Sequence, residues 1–316
     1  MLAGLLASLL PGCATAPPRG SLACLAKPVA TLPIVFRDDV PTTTVLLDNA
    51  PASMVLDLGA QASVLSETVV DRLRLARDPS SLPTISGVGG SNVRWAATVD
   101  HLGLGALVID DKRMEVAPIA FGDGPRAIEG ALGLDVLEKY DVDWDLPNRR
   151  VTLNAPSGCN GPPPGWATPA SEVALRHPFG ARGDGRIPGL LQLAMQVDGH
   201  PVTAMLDTGA GISLIAPDTA TSLEGSDVRG GTAVLLAGVG SGTPSGHLHR
   251  FGSITVGGDT VPQWPMVVAP VPEWAGNIIL GAGFMRLHRA WLPAGGSSIW
   301  FGPRVTVAGR ERAVSE

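Results

Sequence analysis

Tyrosine occurs once in the 316 residues, phenylalanine six times, and lysine only at Lys27, Lys112 and Lys139. With aromatics at 4%, any core must be built from Val, Leu, Ile and Ala. Scarce lysine and a formal net charge of −6 exclude a nucleic-acid-binding or polybasic membrane surface. Cysteine is limited to Cys13, Cys24 and Cys159, and no metal-ligand spacing uses them. Long amphipathic windows are missing too, because 28 prolines and 40 glycines cut the chain into short pieces. That pattern favours an all-β fold with few short helices.

The apolar run from Leu2 to Leu10 is too short to span a bilayer and has the length of a signal-peptide core. It ends in Leu10-Pro11-Gly12-Cys13, which resembles a bacterial lipoprotein box. The resemblance implies export to the periplasm or cell envelope, with Cys13 lipidated as the mature first residue. Membrane contact is then expected only through that N-terminus. In an oxidising compartment Cys24 and Cys159 could form one disulfide, although spacing does not establish the pairing.

The chain repeats itself. "MVLDLGAQASVLS" (54–66) aligns without a gap on "AMLDTGAGISLIA" (204–216), so that Asp57 and Asp207 fall 150 residues apart. "SGVGGS" (86–91) recurs as "AGVGSG" (237–242), and "ALGLDVL" (131–137) as "ILGAGFM" (279–285). Three blocks in one order at nearly one spacing mean two copies of one unit. The expected organisation is an N-terminal signal and tether over 1–31, one lobe over 32–155 and a Pro/Gly-rich linker over 156–171. A second lobe over 172–308 and a tail over 309–316 complete it.

Hairpins dominate each unit. Asp198-Gly199 is a strong two-residue turn, and its counterpart at Asp48-Asn49 reads as slightly longer. "VIDDKRMEVAPIAF" (108–121) and "TVGGDTVPQWPMVVAP" (255–270) read as a second matched hairpin pair. Ser66 is placed to cap a short helix, and the second copy's "APDTATSL" (216–223) is a weaker candidate.

In both copies the acid follows the second strand of a hairpin. Two such units can meet about a pseudo-twofold axis with their carboxyls in hydrogen-bonding reach. Like charges that close share one proton, which supplies a general acid and a general base together. The glycine after each acid allows a turn tight enough to expose the carboxyl.

Asp207-Thr208-Gly209-Ala210, the later apolar-Gly segment around Gly281 and their duplication resemble the aspartic peptidases. Alanine after the glycine is similar to the retropepsin branch, and the tandem arrangement resembles bacterial single-chain envelope proteases. The resemblance covers nearly all of 32–308. It implies two tandem retropepsin-like (acid protease) β-barrel lobes and peptide-bond hydrolysis by a water held between Asp57 and Asp207. It further implies that Leu58, Gly59, Ala60, Thr208, Gly209 and Ala210 shape the acid loops, with Gly133 and Gly281 as backbone support. Gly87, Val88, Gly89 and Gly238, Val239, Gly240 fit a flap that closes over substrate, with a plain loop as the alternative. An extended peptide would lie in the inter-lobe cleft by strand-like pairing. No metal or other cofactor is required, and a monomer can be complete.

The first copy departs from the family at Leu58, where Thr or Ser normally locks the two loops together. An impaired, peptide-binding protein is therefore the rival reading. Neither Ala60 nor Ala210 offers a hydroxyl to lower a carboxyl pKa, so a pH optimum less acidic than that of pepsin-like enzymes is expected. Asp141, Asp143 and Asp145 lack the glycine and glutamate of a calcium loop and read as a strand edge beside Arg149 and Arg150. His247 and His249 share a strand face without a third metal ligand. No Gly-x-Ser-x-Gly elbow supports a serine hydrolase, and no helix follows the glycine blocks as a phosphate site would need.

Overall fold

The computed structural model describes residues 24–78, 85–87, 89–92, 95–119, 127–178, 189–225, 228, 230–240 and 242–305. Cys13 and Val88, singled out above, lie outside them. The N-terminal copy closes a six-stranded barrel in the order Val40–Leu47, Ala50–Leu56, Gly130–Leu132, Val64–Leu65, Leu107–Val116, Ala96–Leu104. The ring shuts where the first strand pairs with the last, Leu46 opposite Gly103. The second copy repeats the circuit through Gln192–Val197, His200–Leu206, Ile278–Leu280, Ser213–Ile215, Asp259–Val268 and Ser245–Val256. In each barrel the strand leading to the acid pairs in parallel with the strand leading to the supporting glycine.

The turns follow from residues that tolerate left-handed backbone. Asp198 and Gly199 have φ of 48° and 81°, and Asp48 and Asn49 have 50° and 69°. Leu47 opposes Ala50 just as Val197 opposes His200. The first turn is thus no longer than the second, because Asp and Asn enter this region at little cost. The other hairpin pair needs a correction. The turn of the first copy lies at Gly105 and Ala106, and "VIDDKRMEV" runs within the single strand Leu107–Val116. Its counterpart turns at Gly257 and Gly258. Ser66 accepts a 3.2 Å hydrogen bond from the Val69 amide and caps the helix Glu67–Leu73. The second copy carries the helix Pro217–Glu224 in the same place, with proline in its first turn.

A further six strands join the copies. In order they are Pro28–Pro33, Arg150–Asn154, Asp141–Asp145, Arg289–Leu292, Ser298–Phe301 and Ser171–Arg176, three from each copy. Asp141–Asp145 lies at the centre of this sheet, paired on both sides, and not at an edge. Its three acids are buried because each has partners. Asp141 accepts from the Ser157 hydroxyl at 2.6 Å and the Ala294 amide at 2.9 Å. Asp145 pairs with Arg150 at 2.7 Å. Asp143 takes the Arg289 guanidinium at 2.9 and 2.5 Å together with the Trp166 indole N–H at 3.0 Å.

The Pro/Gly-rich connector is docked against this sheet. Trp166 is buried edge-on to Trp291, its carbonyl accepts from Arg289, and the Trp300 indole donates to Asn160 O at 3.1 Å. Cys24 and Cys159 form a disulfide that ties the connector to the segment before Pro28–Pro33. Arg289→Met would leave Asp143 buried without its cation. Arg289 is one-third exposed, so the expected loss of about 2–3 kcal/mol falls below that of a fully buried pair. Guanidinium unfolding of the full chain checks it.

Candidate active site

The strands Ala50–Leu56 and His200–Leu206 deliver Asp57 and Asp207 to equivalent places. The Asp57 amide donates to Leu132 O at 2.9 Å and the Asp207 amide to Leu280 O at 3.0 Å, extending each parallel ladder by one bond. Behind each acid loop passes a glycine. A Cβ on Gly133 would fall 2.7 Å from Ala60 O, and one on Gly281 would fall 2.6 Å from Ala210 O. Only glycine lets these backbones approach, and Leu134 N and Ala282 N then bond the same two carbonyls at 2.8 Å.

The two loops meet with the carboxyls in hydrogen-bonding reach of each other. Each lies against the other loop's glycine. A Cβ on Gly59 would sit 2.3 Å from Asp207 Cγ, and one on Gly209 would sit 2.5 Å from Asp57 Oδ2. Asp57 Oδ1 accepts from Gly59 N at 2.7 Å. Asp207 Oδ1 accepts from Gly209 N at 2.8 Å and Ala210 N at 3.1 Å. Thr208, fully buried, bridges the lobes by donating to Leu56 O at 2.6 Å and accepting from Leu58 N at 2.9 Å.

A family model described as aspartyl protease matches residues 43–136 and again 193–284, together more than half of the chain. The chain belongs to the aspartyl protease family. It is a two-lobed, retropepsin-like member. A search of curated proteins finds no match.

In this member of the family the grip between the loops is one-sided. Thr208 makes both of its bonds, whereas Leu58 places its side chain in the apolar core and is fully buried there. Burial raises the Asp57 carboxyl above its ordinary range, and backbone N–H groups of Gly59, Gly209 and Ala60 oppose the shift. Burial, followed by the charge of Asp57, raises Asp207 well above its ordinary range. The pair thus retains one proton where an isolated aspartate would have lost it.

The glycine blocks also meet across the lobes. Gly87 and Gly89 lie at the tip of the hairpin formed by Ile85–Gly87 and Gly90–Asn92. Gly238, Val239 and Gly240 lie in the turn between Thr232–Leu235 and Ser245–Val256. Gly89 N donates to Val239 O at 3.1 Å, and Gly242 N donates to Gly89 O at 2.8 Å. A Cβ on Gly240 would fall 2.4 Å from the Gly89 carbonyl carbon. Gly240 also has φ of 119°, so a side chain there is excluded twice.

Two sets of contacts at the site escaped sequence reading. Ser63 and Ser213 each accept the amide of the supporting glycine at 3.1 Å. Their recurrence in register was the available signal. Arg286 pairs with Asp39 of the other lobe and stacks 4.2 Å over the Phe36 ring, and nothing in the repeat points to it. His249 bonds Glu224 at 2.6 Å, and no group of three His, Cys, Asp or Glu side chains converges among the described residues.

Raised carboxyl pKa values mean that the folded state binds protons more tightly than the unfolded state. The dyad's contribution to stability is therefore largest in acid and is lost as pH climbs from the ordinary carboxylate range toward the folded values. Asp207→Asn abolishes that dependence. Thermal unfolding should show the variant gaining a few degrees on the parent at pH 7, with the gap closing near pH 4. A gap independent of pH would contradict the shared proton.

Proposed function

We propose that the protein is an aspartic endopeptidase whose catalytic residues are Asp57 and Asp207. The observation that carries the reading is the approach of two carboxyls over facing glycines, held by the Thr208 bridge. A water between them gives one proton to the ionised carboxylate as its oxygen attacks the peptide carbonyl carbon. The protonated partner gives its proton to the carbonyl oxygen. In the resulting diol, one carboxyl protonates the amide nitrogen while the other takes a hydroxyl proton back, and the C–N bond breaks. Both starting protonation states are needed. Because both carboxyls are raised, the acidic and basic limbs of the pH profile move up together.

The joined tips at Gly89 and Gly240 would roof the cleft and must part to admit an extended peptide. Both lobes lie in one chain, so a monomer suffices. Export and lipidation at Cys13 belong to the same proposal, and the Cys24–Cys159 disulfide supports an oxidising compartment. Leu58 alone favours a second reading, a related protein that holds an envelope peptide without cutting it.

Casein cleavage from pH 3 to 7 by the full chain, Asp57→Asn and Asp207→Asn decides between them. The parent should cut, with an optimum above about pH 4. Each variant should lose at least about 100-fold. A folded but inactive parent would favour the peptide-binding reading, and Leu58→Thr would then test whether the lost hydroxyl is the cause.

A further inference from the structure

The repeat that matches the two acids also sets Lys112 opposite Trp264 and Asp135 opposite Gly283. The strand pairings agree, since Lys112 faces Val99 as Trp264 faces Phe251. Each is preceded by a non-glycine residue in left-handed backbone, Asp111 at φ 49° and Gln263 at φ 54°. The scaffold is the same in both lobes, and the chemistry at these positions differs.

In the first lobe Asp135 Oδ1 accepts from both the amide and the hydroxyl of Ser63, at 2.9 and 2.7 Å. Ser63 Oγ in turn accepts the Gly133 amide at 3.1 Å. Lys112 Nζ bonds the other oxygen of Asp135, and the two side chains are only 12% and 19% exposed. Glu115 stands nearby, its carboxyl raised by burial and then by the charge of Asp135.

In the second lobe Gly283 stands where the first has the Asp135 carboxylate. Gly283 leaves a gap that the Trp264 ring fills, with indole carbons 3.5 and 3.6 Å from where a Cβ would stand. The Trp264 indole N–H donates to Ser213 Oγ at 3.4 Å, and the Gly281 amide donates to the same oxygen at 3.1 Å. Val267 occupies the place of Glu115 and is fully buried.

We infer that Lys112 and Asp135 are positioning residues that fix the Asp57 loop through Ser63, and that Trp264 performs this task for the Asp207 loop through Ser213. Each serine lies six positions after its acid and anchors the loop's far end to the supporting glycine. A loop tied at that end holds its carboxyl where the partner loop's glycine can meet it. A charged tie and an indole tie meet one need on one backbone. The inference rests on the peptidase reading for its catalytic consequence and on geometry alone for its structural one.

The test uses the full chain with Asp135→Ala, Asp135→Asn, and the lobe-swapping pair Lys112→Trp with Asp135→Gly. Two readouts are taken: kcat and KM on a peptide from a casein cleavage site, and amide hydrogen exchange over 57–65 and 207–215. Asp135→Ala should lower kcat by about tenfold with KM nearly unchanged, the mark of a misplaced reacting group. Exchange over 57–65 should rise by about tenfold while 207–215 stays as in the parent. Asp135→Asn keeps the acceptor for Ser63 and should recover most of the loss, as should the swapped pair. The inference is overturned if Asp135→Ala leaves kcat and exchange within about twofold of the parent. It is equally overturned if a folded swapped pair does no better than Asp135→Ala. If the parent itself does not cleave, exchange alone decides, and the failure belongs to the peptidase reading.

Discussion

Two carboxyl-bearing loops from separate barrels must come within the width of a glycine, and the rest of the molecule depends on that approach. Gly59 lies against the Asp207 carboxyl and Gly209 against that of Asp57, at distances where a single Cβ would drive the loops apart. Bringing two buried acids together is unfavourable unless they share a proton and their other lone pairs are satisfied. Backbone N–H groups of Gly59, Gly209 and Ala210 meet part of that need. The central six-stranded sheet sets the distance between the barrels. Its Asp143–Arg289 pair crosses the seam, and Trp166 of the docked connector bonds the same carboxylate.

Duplication left the two lobes with one backbone and different side-chain solutions. The grip between the loops is carried by Thr208 alone, while Leu58 gives up polar contact for burial in the core. A leucine side chain taken fully from water recovers about 2 kcal/mol, of the same order as the hydrogen bonding a threonine would supply. Behind the loops, a lysine–aspartate pair stands where the other lobe has tryptophan over glycine. Such exchanges preserve the position of the loop and alter its electrostatic surroundings. They give a shared-proton pair the means to distinguish its two halves.

The parts of the fold that read directly from sequence were those fixed by local chemistry or by recurrence. Asp57 and Asp207 stood out because a gapless 13-residue match at a spacing of 150 residues is carried by backbone needs common to both copies. Ser66 read as a cap because its hydroxyl serves its own helix. What escaped depends on contacts distant in sequence. Asp141, Asp143 and Asp145 look exposed by type, and they are buried because partners arrive from 150, 157, 166, 289 and 294. The connector has the composition of a free linker, and Trp166 and Cys159 dock it. The Asp110-Asp111 pair resembles a turn, yet pairing across to Ala96–Leu104 holds the strand through it.

The central claim is that Asp57 and Asp207 act as one dyad around a single proton. Calorimetric binding of a statine-containing, pepstatin-type peptide tests it most directly, because the statine hydroxyl stands in for the attacking water and gains affinity only from a working pair. The account predicts tight binding to the full chain, weakened by at least about 100-fold in Asp57→Asn and in Asp207→Asn. Equal, weak binding to all three proteins would contradict it.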